Sequence, residues 1–169
     1  LYQGYVSVPS VFGNSKAGYT SRAIAESPEI PSRFGSAIGL PLRFVAIIRN
    51  PYDMIASGMR RRNESFEHTY GNFVEMSRLF NRSLEILEDY PVLLVRQEDF
   101  LGNSDDQIDR LFSFLELPTS TEFKRIIGSK LFTSPDKSRH RVPEMAENRS
   151  QVDELINSYE FFSGYSYES

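Results

Sequence analysis

Apolar residues fall into two kinds of run along this chain. Two runs are short and unbroken: "RFVAII" at residues 43–48 and "PVLLV" at residues 91–95. Neither alternates with polar residues, which predicts strands buried on both faces, as in a parallel sheet. Other runs recur at helical spacing. Phe66, Tyr70, Phe73, Phe80, Leu84 and Leu87 predict a long amphipathic helix over residues 66–89, with Gly71 weakening its first turns. "SDDQIDRLFSFLEL", residues 104–117, opens with a capping box of Ser104 and Gln107 and predicts a helix that buries Ile108, Leu111, Phe112 and Leu115. "TSTEFKRIIG" predicts a shorter helix ending at Gly128, and "RSQVDELINSY" another before an aromatic tail.

The remaining stretches fill in the order. "YVSVPSVF", residues 5–12, reads as a strand, with Pro9 placing it at an edge or a bend. "GNSKAGYTS" reads as a loop, and "RAIAESPEIPSRFGSAIG" as a short helix broken by Pro28 and Pro31. After the first buried strand, Asn50 suits a helix N-cap, Pro51 the first helical position, and Asp53 the positive end of the helix dipole. "SKLFTSPDKSRHRVPE" reads as a polar loop. Strands alternating with helices predict an α/β fold with a mainly parallel sheet flanked by helices.

With 169 residues, the chain is long enough for one domain with a real core, and residues 1–169 are read as a single domain. It lacks an initiator Met and starts inside what reads as folded sequence, so a piece of a longer domain is expected. A net charge of −4 does not suggest a nucleic-acid binder. With no cysteines and two histidines, no metal site is expected. No apolar run approaches the length of a membrane span. Three sequons, at Asn63, Asn81 and Asn148, are compatible with a secretory location without establishing one.

The chemistry gathers where the first buried strand ends in a cation. In α/β sheets, ligands bind beyond the carboxyl ends of the strands. Arg49 stands at such an end, beside a helix N-terminus, and offers a planar fork of donors. Ser57 lies about two turns into the helix and shares a face with Asp53. A guanidinium and a hydroxyl so placed suit a phosphate. The plainer alternative pairs Arg49 with a surface carboxylate and packs Ser57 as a small residue.

"FVAIIRNPYDMIAS" resembles the segment of sulfotransferases dependent on 3′-phosphoadenosine 5′-phosphosulfate (PAPS) that binds the donor's 3′-phosphate. "VLLVRQEDFLGNSDDQIDRLFSFLELP" resembles that family's valine-rich strand, Arg-Tyr-Glu-Asp-Leu and following helix. "VFGNSKAGYTSR" resembles its Lys-bearing loop. The three segments keep the family's order and span residues 8–118. The resemblance implies a fold similar to P-loop nucleotide kinases and sulfonate transfer from PAPS to a hydroxyl or amine of a small-molecule or glycan acceptor. It assigns Arg49 and Ser57 to the 3′-phosphate, and Lys137 and Arg139 of the late basic loop to closure over the cofactor. Lys16 becomes the candidate for stabilising charge on the leaving sulfate oxygen, beside its reading as an exposed loop lysine. Glu98 and Asp99 match an acidic pair that fixes neighbouring loops.

The chain also departs from the pattern. No Gly-rich 5′-phosphosulfate loop occurs in it. Where relatives carry a base before the loop Lys, Asn14 and Ser15 stand, and a neutral amide does not accept a proton as a carboxylate does. Gln97 replaces a Tyr that contacts adenine. Arg60, Arg61 and Arg62 read as a solvated helix end, or as facing an acidic acceptor. Two alternatives therefore stand beside a sulfotransferase: a catalytically inactive nucleotide-binding or interaction module of the same fold, and a P-loop kinase-like enzyme using another nucleotide, which the absence of a Walker motif opposes.

Overall fold

A computed structural model describes residues 17–130 and 134–169. In chain order the elements are α1 (Ala17–Glu26), α2 (Ile30–Ile38), β1 (Phe44–Ile48), α3 (Pro51–Arg62), α4 (Phe66–Ile86), β2 (Val92–Arg96), α5 (Gln97–Gly102), α6 (Ser104–Phe114), α7 (Thr121–Gly128), α8 (Glu144–Glu147) and α9 (Arg149–Asn157). Tight 3₁₀ turns occupy Ser138–Arg141 and Glu160–Phe162. The architecture is α/β and mostly helical. The strand expected at residues 5–12 lies outside the described residues.

β1 and β2 pair in parallel, from Phe44 opposite Val92 to Ile48 opposite Arg96. A parallel pair needs a long crossover, and here α3 and α4 supply it. Among the described residues the sheet has only these two strands. The expectation that both strands are buried on both faces is corrected for β1. Side chains alternate across a strand, and Val45 and Ile47 point outward at 41% and 70% exposure while Ile48 joins the core. The sequence pattern showed β-forming apolar residues without showing that nothing covers one face of β1 among the described residues.

Why α3 sits inward follows from its spacing. Tyr52, Ile55, Ala56 and Met59 repeat at three and four residues, share one face and are buried. They pack with Phe66 of α4, Val152 and Ile156 of α9, and Phe161, Phe162 and Tyr165 beyond it. The expected cap is present: Asn50 Oδ1 accepts the Tyr52 N–H at 3.0 Å, and Pro51 opens the helix. Gly58 marks the close approach of α3 to α4, since a Cβ there would lie 2.9 Å from Thr69 Cγ2.

α4 ends three residues before the expected 89, and its Tyr70, Phe73, Phe80 and Leu84 pack on the core as their spacing implies. Three further readings change. Residues 17–21, read as loop, belong to α1. Pro31 does not break a helix but sits in the first turn of α2, where its missing N–H costs nothing. α6 is capped by Asn103, whose side chain accepts the Asp106 N–H at 3.5 Å, so the capping box of Ser104 and Gln107 does not form. α7 ends at Gly128 as expected.

Candidate functional site

The carboxyl ends of both strands carry arginines, and the elements around them make the site. Arg49 follows β1 directly and is half-buried. Its Nη1 donates to Ser57 Oγ at 3.5 Å across the turn into α3. Its Nη2 donates to the Asp136 carbonyl, and its Nε–H is buried with no protein acceptor. Ser57 Oγ lies 2.9 Å from Ser138 Oγ, which donates in turn to Asp136 Oδ2 at 3.0 Å. Arg141 holds the other Asp136 oxygen at 3.1 Å. Ser57, Ser138, Asp136, Arg60 and Arg61 line a hollow of about 250 Å³, open to solvent.

The structure brings Arg49 and Ser57 together as their spacing implied. It sets Arg139 apart from them. Arg139 is 1% exposed, and its Nη1 lies 2.6 Å from Asp53 Oδ2, with Asp53 2% exposed at its side chain. The Arg139 backbone N–H donates to Asp53 Oδ1 at 3.0 Å, and Nη2 donates to the Ser169 carbonyl. Within the stretch read as a polar loop, Ser138–Arg141 form a 3₁₀ turn anchored by this buried pair, and the guanidinium expected over the cofactor faces Asp53. The reason is Asp53 itself: at the start of α3 it points inward, where only a cation with several donors satisfies it. Burial pushes the Asp53 carboxyl up, while the Arg139 N–H and guanidinium pull it down.

Lys137, just before that turn, is exposed. Lys16 lies outside the described residues. Among the described residues no three His, Cys, Asp or Glu side chains are grouped to hold a metal ion. No helix described is long and apolar enough to cross a membrane.

Glu98 fastens the site from the first turn of α5, just beyond β2. Its Oε1 accepts the Asn50 N–H at 2.9 Å, and its Oε2 accepts the Tyr165 hydroxyl at 2.7 Å. Burial first, and the Glu98 carboxylate second, push the Tyr165 phenol well above its ordinary range. Of the acidic pair read as fixing loops, Glu98 does so, and Asp99 is exposed. Asn50 Nδ2 donates to the Ser166 carbonyl at 2.8 Å and to Ser169 Oγ at 3.1 Å. Arg96 stacks over the Tyr165 ring at 4.8 Å and donates to the Ser163 carbonyl. Residues 163–169 thus form a strap across the start of α3.

Sequence reasoning missed Asp136, Ser138 and this strap. Nothing in their local pattern marks them, because their partners lie 81 to 119 positions away. The placement of Arg60 and Arg61 at the hollow was also missed, although their residue type was the signal. No family model, curated protein or solved structure matches the chain.

Proposed function

We propose that this protein is a PAPS-dependent sulfotransferase with a P-loop-like fold, and that Arg49 and Ser57 hold the donor's 3′-phosphate. The observation that carries the reading is the Arg49 guanidinium meeting the Ser57 hydroxyl across the β1–α3 turn. This is the carboxyl end of a parallel strand, where α/β folds bind ligands. Charge-assisted hydrogen bonds from such a fork suit a phosphate. The buried Arg49 Nε–H without an acceptor leaves a further donor on the same guanidinium. The order of the three sequence segments supplies the rest. Sulfonate transfer itself needs orientation of donor and acceptor and stabilisation of charge on the leaving oxygen. Lys16 is the candidate for the latter.

Calorimetry tests the site. Adenosine 3′,5′-bisphosphate should bind more tightly than adenosine 5′-monophosphate, and equal affinities would overturn the assignment. Arg49→Ala should cost about 1.5–3 kcal/mol of bisphosphate binding, the scale of a hydrogen bond to a charged group. Asn14 and Ser15, where a base is needed, favour a second reading: a nucleotide-binding module without transferase activity. Bisphosphate binding without sulfonation of hydroxyl or amine acceptors by the whole protein would select it.

A further inference from the structure

The last turn of α3 carries Arg60, Arg61 and Arg62. Arg62 is engaged by Glu64, with Nε 2.6 Å from its carboxylate. Arg60 and Arg61 are both exposed and line the hollow beside Ser57 and Ser138. The one carboxylate at that hollow, Asp136, already accepts from Ser138 and pairs with Arg141. Cations therefore outnumber carboxylates around a concave space. That is a strong concentration of positive charge in a chain whose net charge is −4. Ser57 to Arg60 or Arg61 is about one helical turn, roughly 5 Å of rise. A group bound between Arg60 and Arg61 is thus adjacent to, and distinct from, a group bound at Arg49.

We infer that Arg60 and Arg61, at the hollow walled by Ser57 and Ser138, form a second oxyanion subsite that takes a phosphate or sulfate group, next to the Arg49 site. This deepens the proposed function but stands on separate residues. The group has two possible sources: a further anionic group of the nucleotide, or an anionic group on the acceptor.

The test is a titration of the protein with inorganic sulfate, followed by NMR at the backbone amides of residues 57–61 and 136–141, against chloride at matched ionic strength. Saturable shifts specific to sulfate are expected. They should persist in Arg49→Ala, and Kd should rise about tenfold in Arg60→Gln/Arg61→Gln, the loss expected when hydrogen bonds to a charged group are removed. Both arginines are exposed, so the double variant should fold, as circular dichroism would show. Arg60→Lys/Arg61→Lys should restore part of the affinity. Shifts reproduced by chloride would overturn the inference, as would shifts lost in Arg49→Ala but kept in the double Gln variant. In that last outcome the Arg49 phosphate site would survive. Conversely, unchanged bisphosphate affinity in Arg49→Ala would sink the proposed function and leave the subsite intact. A bisphosphate titration of the double Gln variant separates the sources. Weakened binding assigns the group to the nucleotide, and sulfate binding undisturbed by saturating bisphosphate assigns it to the acceptor. Both outcomes support the subsite.

Discussion

Asp53 and Arg139 are each 1% exposed, and each is the other's principal charge partner. Removing one member of a buried ion pair leaves an uncompensated charge, so Asp53→Ala should destabilise the protein by about 3–5 kcal/mol. Replacing both by apolar residues of similar volume, Asp53→Leu with Arg139→Met, should cost far less than the two single changes together. Urea unfolding of the four proteins would check this, and simple additivity would show that the pair is not coupled. Gly58 is the other residue with a sharp expectation. Ala is the better helix former by about 1 kcal/mol. Yet its Cβ would lie 2.9 Å from Thr69 Cγ2, on a packed face rather than on a free chain end. Overpacking costs about 1–3 kcal/mol, so Gly58→Ala should lower the urea midpoint despite its gain in propensity.

At the scale of elements, the 3₁₀ turn Ser138–Arg141 carries the clearest prediction. Basic, polar composition makes it look solvated, but its second residue donates its backbone N–H to buried Asp53. The Arg139 amide should therefore exchange slowly with solvent even without ligand. Asp53→Asn should speed that exchange, and fast exchange in the unaltered protein would contradict the anchoring described. Here also lies the boundary of what the sequence could show. β1, α3, α4, β2, α7 and α9 were legible because periodicity and caps act within a few residues, and the Arg49–Ser57 pair was legible because the two share one turn. Burial of Arg139 was not, because its partner lies 86 positions away. The outward face of β1 was equally hidden: an apolar run reports what a strand is made of, not what covers it.

For the molecule as a whole, Tyr52 and Tyr165 tie the pieces together and set its alkaline limit. The Tyr52 hydroxyl lies 2.9 Å from both the Arg149 carbonyl and Asp153 Oδ1. Burial, and then the neighbouring carboxylate, push both phenols up. Unfolded tyrosines ionise near pH ~10. The folded state holds its phenols neutral beyond that point, so their contribution to stability is complete below pH ~10. It is lost as pH rises toward the folded-state values. Unfolding free energy should therefore fall above pH ~10, and Tyr165→Phe should make that fall shallower. An unchanged alkaline slope in the Phe variant would show that Tyr165 does not govern it.

The strap of residues 163–169 reaches the start of α3 from 116 to 119 positions away. Closing so long a loop is entropically unfavourable and slow relative to forming a helix. The turn that presents Arg49 is local, yet the Asn50 Nδ2 bonds to the strap, the Glu98 tie and the Arg139 anchor all wait for distant chain to arrive. Refolding should therefore show two clocks. Far-ultraviolet ellipticity should recover first, and the tyrosine emission, free of tryptophan overlap, should follow it. The phosphate binding proposed for Arg49 and Ser57 should return only with the second.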